Sequence, residues 1–469
     1  MPKKNFIWIL VAVVVGVLLL FVSRSNRPMV GEGTGDFEPV LRTYWLIREH
    51  YYRTPDADAL RRGAVRGMVE QLDEFSSYVA PKDLTAFEDE LMGVARGLGL
   101  RLREQDGRIL VVGPLPNSPA AMSGIETGDV LLEVDDRDVS EMSLDEVEEL
   151  LSGKTDRSVT LTILREDEQK TLTLTRREFP LEIVQGLFRD RTGRWVYRLG
   201  ESDDAPAYLR LSELSPRAPE ALHAAFRKLD RPAGLVLDLR DDPGGHLASA
   251  GGVADLFLRE GVIMTVIDRR GDVDRHQAHA DGTLPEMPLV VLVNGGTASG
   301  AEIIAGALRL HGRAVLLGTR TRGKGCVQSM YRLAGDLGQV NLTTSEFYVG
   351  RGVPITRRPG RDVWGVDPHE EVVLRDAELR KLREYHRHQE VLPRRGTTTR
   401  TTAPESELEA ELHRAMTIDR QLARAVELLG DEQKMEELLR RGSQEDRRTE
   451  RRFLQKLESR QDGEEEDDG

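Results

Sequence analysis

The sequence predicts a multidomain α+β protein. In order, we expect an N-terminal transmembrane helix, a helical segment, a small β-rich domain, an α/β core and a C-terminal helical tail. Three observations support this fold class. The 469 residues suffice for about two to four domains. A long apolar run lies close to the N-terminus, and strand-like runs alternate with helical ones through the middle of the chain.

Residues 1–28 are predicted to be a signal anchor. The uncharged run from Asn5 to Ser23 would span roughly 28 Å as a helix, close to the hydrocarbon thickness of a bilayer. A cleavable signal peptide is the alternative, but no small-x-small cleavage site follows the run. Basic residues flank both ends, so charge alone does not fix the orientation. We expect a single-pass protein of the cell membrane, with its remaining domains on the extracytoplasmic (periplasmic) side.

Four further regions follow the predicted anchor. Residues 36–92 have apolar residues at helical spacing, and residues 93–178 contain short strand-like runs with one helix. Residues 180–375 alternate strands and helices, as in an α/β domain. Residues 376–469 contain a polar linker, charged helical stretches and an acidic tail that we expect to be disordered.

Composition excludes several function classes. The net charge is −14 and no dense basic block is present, so a protein or peptide partner fits better than nucleic acid. Cys326 is the only cysteine, which rules out an intrachain disulfide and a cysteine-based metal site. The ten histidines form no HExxH pattern, which argues against a zinc protease. We therefore expect no metal and no cofactor.

Ser299 and Lys324 form the most informative pair of residues. Ser299 lies in VNGGTASGAEIIAGAL, where a strand leads through a glycine-rich turn into a helix, and such a turn holds a serine exposed near free helix amides. Lys324 stands between Gly323 and Gly325, which allow close approach of another backbone. A lysine has a free pKa of about 10.4 and acts as a base near neutrality only when desolvation favours its neutral form. The pair suggests a nucleophile and a general base.

Simpler interpretations exist for each of these residues. A serine that opens a helix is more often an N-cap, and a lysine between glycines is more often a solvated loop residue or a phosphate contact. The surroundings of Lys324 do not fit a P-loop. Glu302 is interpreted as a first-turn residue that interacts with the helix dipole, and Cys326 as a small buried residue. We give His246 no role as a triad base.

The β-rich region resembles a PDZ domain. The resemblance rests on GLGL, followed by VVGPLPNSPAAMSGIETGDVLLEVDDRDV and a helix from Ser143. It implies a loop whose backbone N–H groups receive the terminal carboxylate of a peptide, and a pocket for the last side chain. Leu98 and Leu100 would line that pocket opposite Val147 and Leu151, unless these leucines are ordinary core. The implied peptide-binding residues are Gly97, Leu98, Gly99, Leu100, Val147 and Leu151.

From about residue 37 to residue 430, the chain resembles the C-terminal processing (tail-specific) serine proteases. Besides the two glycine-rich runs, the matching segments are LDEFSSYVAP, LVLDLRDDPGGHL, FYVGRGVPI and DRQLARAVELL. Their order and spacing are more specific than any one of them. The resemblance implies a protease core of this type in the α/β region.

The family's functional residues fall on matching positions. Ser299 matches the nucleophile and Lys324 the base, while Gln328 would orient the lysine amine. Backbone N–H groups of Gly245 and Gly300 match the oxyanion donors. The chain departs from the family pattern at several positions, none of which removes a catalytic group: Asp242 for asparagine, Gly300 for alanine, Ala301 for serine, Leu310 for aspartate and Arg322 for an aromatic residue.

Two hypotheses of function follow. The first is a membrane-anchored serine endopeptidase that recognises protein C-termini through its PDZ domain and cleaves the tail through an acyl-enzyme. The second is a catalytically inactive PDZ scaffold that binds protein C-termini without cutting them. Resemblance also makes a homo-oligomer plausible.

Overall fold

The computed structural model describes residues 34–467 except residue 203, residue 361 and residues 395–404. Within this range, no helix combines the length and apolar character that crossing a bilayer requires. The predicted anchor, residues 1–28, lies outside the described residues, as does most of the predicted polar linker.

Helices occur in every region of the described chain, and two short 3-10 helices cover Thr34–Phe37 and Pro81–Asp83. The α-helices are α1 Glu38–His50, α2 Ala57–Val69, α3 Leu84–Met92, α4 Pro119–Met122, α5 Leu144–Leu151, α6 Ala218–Phe226, α7 Leu247–Asp255, α8 Gly300–Leu310, α9 Asp376–Gln389, α10 Glu405–Ile418, α11 Arg420–Leu429 and α12 Glu432–Asp467.

The strands lie between the N-terminal and C-terminal helices. They are β1 Ser77–Val79, β2 Val94–Gly97, β3 Leu100–Gln105, β4 Arg108–Pro114, β5 Val130–Val134, β6 Arg137–Asp138, β7 Ser158–Arg165, β8 Glu168–Thr175, β9 Arg177–Pro180, β10 Val184–Gln185, β11 Phe188–Arg189, β12 Trp195–Val196, β13 Ala207–Leu211, β14 Leu235–Asp238, β15 Val262–Asp268, β16 Val273–Gln277, β17 Leu289–Val293, β18 Val315–Gly318, β19 Cys326–Arg332, β20 Gln339–Val349, β21 Val353–Pro354 and β22 Glu370–Glu371.

A largely parallel sheet forms the centre of the α/β region, with the strand order β10-β13-β14-β17-β18-β22. Within this sheet, neighbouring strands from β13 through β14, β17 and β18 to β22 pair in parallel. Strand β10 pairs antiparallel with β13 at the edge. Both faces are covered, as a parallel sheet requires. Helices α6, α7 and α8 contribute to the core on one face, while the C-terminal helices α10, α11 and α12 pack on the other.

Two further sheets flank the parallel sheet. Strands β1-β20-β15-β16 form an antiparallel sheet in which β19 and β21 also pair with β20. Strand β1 belongs to the N-terminal region, so this pairing fixes that region beside β20, which also pairs with β19, the strand that follows Lys324. The β-rich domain is the antiparallel sheet β3-β4-β5-β7-β8, with β6 on β5. Its helix α5 begins with a capping box in which Ser143 N–H donates to Glu146 Oε2 at 2.8 Å.

A buried ion-pair network ties the C-terminal helices to the parallel sheet. Arg240 follows β14 and is only 2% exposed. Its guanidinium donates to Asp238 and to both carboxylate oxygens of Asp419, at 3.0 and 2.7 Å. Asp419 in turn caps α11 by accepting the N–H groups of Gln421 and Leu422. The segment DRQLARAVELL therefore packs against the parallel sheet.

One expectation about the C-terminus was wrong. The acidic tail was predicted to be disordered, but α12 continues to Asp467. Glutamate and aspartate are compatible with helix propagation when a helix is already nucleated, and α12 begins on the packed C-terminal face.

Candidate active site

The predicted catalytic residues follow three neighbouring parallel strands. The Pro243–Gly245 turn comes after β14, Ser299 comes after β17, and Lys324 comes after β18. These strands are adjacent in the sheet. Because the carboxyl ends of parallel strands meet at one edge, the fold brings together residues far apart in sequence.

Ser299 occupies a strained backbone conformation immediately before α8. Its φ is 53° and its ψ is −120°, in a region that L-residues other than glycine rarely adopt. Within the described chain, its Oγ forms no hydrogen bond, so the hydroxyl does not act as an N-cap. Strain of this kind costs about 1–3 kcal/mol and is concentrated at functional sites. The turn therefore holds a free hydroxyl at a helix N-terminus.

Glu302 joins the serine turn to the lysine turn. Its buried carboxylate accepts hydrogen bonds from Ser299 N–H at 3.0 Å, Lys324 N–H at 2.8 Å and Gly323 N–H at 2.7 Å. The Thr321 hydroxyl also donates to it. Burial raises the pKa of Glu302, and these four hydrogen bonds oppose that rise. All four partners are donors, so the hydrogen bonds match the ionised carboxylate of Glu302.

The Pro243–Gly245 turn lies against the backbone of the serine turn. A Cβ on Gly244, whose φ is 88°, would lie 2.8 Å from Gly300 N and 2.9 Å from Ser299 Cβ. Only glycine permits this approach. In the described structure, the N–H groups of Gly245 and Gly300 donate no hydrogen bond. Two backbone donors without partners thus lie on adjoining turns, one of them directly after Ser299, and their predicted role as oxyanion donors stays a prediction.

Packing explains why residue 300 is glycine. A Cβ there would lie 2.7 Å from Leu214 Cδ1 and 3.2 Å from Ala250 Cβ. Leu214 is fixed because its N–H donates to Gly244 C=O and its C=O accepts from His246 N–H. The departure of Gly300 from the family's usual alanine is therefore matched by the position of Leu214.

Lys324 lies half-buried at the cleft. Its flanking glycines are needed, since a Cβ on Gly325 would lie 2.6 Å from Thr356 N and Gly323 has a φ of 83°. Lys324 Nζ lies 5.5 Å from the centroid of the Phe75 ring. Among the described residues, Nζ has no hydrogen-bond partner. The N-terminal region therefore contributes an aromatic face to the surroundings of the lysine amine.

Gln328 lines the same cleft but contacts other groups. Its Nε2 donates to Cys326 Sγ at 3.0 Å and to Thr343 Oγ1 at 3.3 Å. The expected hydrogen bond with the Lys324 amine is not formed between these described residues, so that role stays a prediction. Burial raises the pKa of Cys326, which agrees with its interpretation as a small buried residue.

The site opens into a cleft of about 510 Å³. Ser299, Lys324, Gln328 and Gly245 line it. Its other walls come from the N-terminal region, the strand-to-helix loop after β13 and the antiparallel sheet: Phe75, Phe87, Leu91, Glu213, Leu214, Leu247, Val327 and Phe347. The volume suits a small ligand or a short segment of a peptide, and the lining is mainly apolar.

The predicted peptide-binding residues lie in the β-rich domain, away from this cleft. Leu98, Val147 and Leu151 are buried in its core, whereas Leu100 is half-buried beside them. Gly97 and Gly99 have φ values of 132° and 73°, as an anion-binding loop allows. Burial fits both the core and the pocket interpretation, so the role of these residues in peptide binding stays a prediction.

Sequence patterns did not identify every residue that shapes the site. Glu302 had been interpreted only through the helix dipole, although its spacing from Ser299 is that of a capping box. Phe75 lies in the matching segment LDEFSSYVAP, but no role at the site was predicted for it, because the pairing of β1 with β20 is what brings it beside Lys324. His246 lines the cleft, and its Nδ1 lies 3.3 Å from Ser249 Oγ.

The fold and this constellation define a serine peptidase with a PDZ domain. Comparison with known families agrees: the model of peptidase family S41 matches residues 206–372, and a PDZ domain model matches residues 97–175. The carboxy-terminal-processing protease of Bartonella bacilliformis is 35% identical over 316 residues, which cover 66% of this chain and 70% of that protein. The chain belongs to peptidase family S41, among the carboxy-terminal processing proteases, which confirms the expected resemblance.

A second similar sequence and one solved structure also belong to C-terminal processing proteases. The carboxy-terminal processing protease CtpA of Bacillus subtilis is 31% identical over 384 residues, covering 80% of this chain and 78% of that protein. Among solved structures, the photosystem II D1 C-terminal processing protease is 29% identical and covers 76% of this chain and 92% of its own, with a TM-score of 0.41.

Proposed function

We propose that this protein is an endopeptidase that uses a Ser299–Lys324 dyad to cleave polypeptides recognised by their C-termini. The observation that carries the proposal is the free Ser299 hydroxyl, which lines one cleft with Lys324 and Gly245. Among the described residues, the N–H groups of Gly245 and Gly300 donate no hydrogen bond. Each of these groups has a role in acyl transfer.

The reaction begins with Lys324 in its neutral form. Ser299 Oγ attacks the scissile carbonyl carbon while Lys324 Nζ accepts the hydroxyl proton. The N–H groups of Gly245 and Gly300 donate to the oxyanion, and each such donor contributes roughly 3 kcal/mol. When the C–N bond breaks, the ammonium returns its proton to the leaving amine and an ester remains on Ser299.

Deacylation reverses the proton transfers. Neutral Lys324 takes a proton from water, the hydroxide oxygen attacks the ester carbonyl, and the released serine regains the proton. The aromatic face of Phe75 would stabilise the ammonium that forms in both steps, by about 0.5–2 kcal/mol. Gln328 would orient the amine after a rotation of its side chain away from Thr343.

Recognition is assigned to the PDZ domain. The loop Gly97–Leu100 would receive the terminal carboxylate, and the peptide would pair as a strand beside β3. Residues 1–28 would anchor the protein in the cell membrane, with the peptidase on the extracytoplasmic side, and copies of the chain would associate as a homo-oligomer. Resistance to alkaline extraction from membranes tests the anchor, and sedimentation of the full-length protein tests the assembly.

Cleavage of an unstructured protein with an apolar C-terminus tests the chemistry. With the full-length protein, we expect Ser299→Ala and Lys324→Ala each to abolish cleavage. Matched controls are Ser329→Ala, whose hydroxyl contacts Thr344 at 2.7 Å, and the exposed Lys381→Ala. Both controls should cleave at the wild-type rate.

Other results would redirect the proposal. Intact substrate that still binds the wild-type protein would favour the inactive PDZ scaffold. Equal cleavage of a substrate whose C-terminal carboxylate is amidated would refute recognition by the PDZ domain and leave the peptidase in place.

A further inference from the structure

The oxyanion turn contains a buried carboxyl group that the proposed reaction does not use. Asp242 is 0% exposed. Its Oδ1 accepts the Gly244 N–H at 2.8 Å, and its backbone C=O accepts the Ala298 N–H at 2.9 Å. Asp242 thus connects the turn that carries Gly245 to the residue before the nucleophile.

The second carboxyl oxygen has no partner. Asp242 Oδ2 is buried and forms no hydrogen bond with any described residue. An ionised carboxylate in this position would bury a charge on an oxygen without a donor, which is far more costly than burying a neutral hydroxyl. The neutral acid keeps Oδ1 as the acceptor for Gly244.

The surrounding charges do not reverse the preference of Asp242 for its neutral form. Arg210 on β13 favours the ionised form, but its Nη1 donates to Gln185 Oε1 at 3.0 Å. Glu213 after β13 and Asp238 on β14 oppose ionisation. Burial is the largest effect and raises the pKa of Asp242 to about 8. The group is therefore largely protonated at neutral pH.

We propose that Asp242 is a positioning residue that works as a neutral carboxylic acid and holds the Gly245 N–H in place only while it stays protonated. The inference rests on the proposed function, which makes this turn part of the oxyanion hole. Ionisation at alkaline pH places a charge on Oδ2, so the turn must shift or admit water. Activity is then lost at a pH where a lysine base would become more effective.

The variant Asp242→Asn separates these effects, because asparagine keeps the shape and the Oδ1 acceptor and cannot ionise. Full-length wild-type and variant proteins are compared by kcat/KM on an unstructured substrate from about pH 6 to about pH 10. Near neutrality we expect rates within about threefold. At about pH 9 the wild type should have lost roughly tenfold, while Asp242→Asn should show no such loss.

Equilibrium unfolding supplies a readout that does not depend on activity. The folded-state pKa is raised above the ordinary aspartate value, so the unfolded state releases this proton first. Wild-type stability relative to Asp242→Asn should therefore fall as pH rises from about 4 to about 8, and remain constant above. An inactive wild type with this stability trend would refute the proposed function and leave the protonation state intact.

Two results would overturn the inference. Coinciding pH–rate profiles would show that ionised Asp242 finds a donor, for which Arg210 Nε, itself buried and unpartnered, is a candidate. A stability difference between the wild type and Asp242→Asn that does not vary with pH would also show that ionised Asp242 finds a donor. If the asparagine variant fails to fold, Asp242→Ser, which also accepts from Gly244 and cannot ionise, takes its place in both measurements.

Discussion

The substitution Glu302→Gln tests whether one carboxylate holds the two catalytic turns together. Glu302 Oε2 accepts from the N–H groups of Ser299 and Lys324, and Oε1 accepts from Gly323 and Thr321. An amide presents one oxygen and one NH₂ group to these four donors. Whichever way it rotates, two donors face an NH₂ group and lose their acceptor.

The magnitude follows from the two lost hydrogen bonds. A hydrogen bond to a charged group contributes about 1.5–3 kcal/mol, so the free energy of unfolding should fall by about 3–6 kcal/mol. Displacement of reacting groups by about 1 Å costs on the order of a hundredfold in rate. We expect kcat to fall by at least that factor with KM nearly unchanged, because Glu302 is buried beneath the turns and does not reach the cleft.

Urea unfolding and steady-state cleavage of one substrate measure both effects on the same protein. Glu370→Gln is the matched control: its carboxylate pairs with Arg424 at 2.6 Å on the opposite face of the sheet, partly exposed. It should change stability by about 1 kcal/mol or less and leave kcat unchanged. A Glu302→Gln protein with kcat within about threefold of wild type and unchanged stability would refute the role of Glu302 as a link between the turns.

Three further predictions concern packing, an ion pair and pH. Gly300→Ala should lower stability by about 1–3 kcal/mol in thermal unfolding and reduce kcat, because the new methyl group meets Leu214 at 2.7 Å. Asp419→Ala should cost about 3–5 kcal/mol in urea unfolding, since it leaves the buried Arg240 partly unpaired. Burial lowers the pKa of His369 to about 3, so the folded state keeps it neutral. Stability should therefore fall as pH drops from about 6.5 to about 3, by on the order of 4 kcal/mol, and His369→Asn should remove this dependence.

Each of these predictions has a result that would contradict it. Gly300→Ala with wild-type stability would mean that Leu214 can repack, and Leu214→Ala should rescue the variant if the clash is the cause. Asp419→Ala is compared with Asp367→Asn, which weakens an exposed pair with Arg320 and should cost about 1 kcal/mol or less. An acid stability slope that persists in His369→Asn would assign the proton uptake to other groups.

The division into regions was accessible from the sequence because local patterns carry it. The one helix predicted between residues 93 and 178 starts at Ser143, and α5 begins with a capping box at that serine. The strands ending before Asn294 and Thr319 were predicted as apolar runs, and they are fully buried β17 and β18. The order and spacing of the motifs sufficed to predict the peptidase family.

Sequence patterns could not identify contacts between distant segments. The link from Glu302 to Lys324 spans two turns, and the position of Phe75 over the lysine depends on β1 pairing with β20. Leu98, Val147 and Leu151 are buried in the domain core, and their role in a peptide pocket stays a prediction. Spacing along a chain does not show which face of an element meets which neighbour.

The sequence by itself determined most of the elements and the family, and it singled out Ser299 and Lys324 as candidates, because all of these depend on residue patterns along the chain. Tertiary structure decided that the Ser299 hydroxyl is free, that Glu302 accepts from both turns and that Asp242 is buried with one oxygen unpartnered. The physical reason is that hydrogen-bond partners and burial are properties of the assembled sheet edge, where three strand ends meet only after the chain has folded.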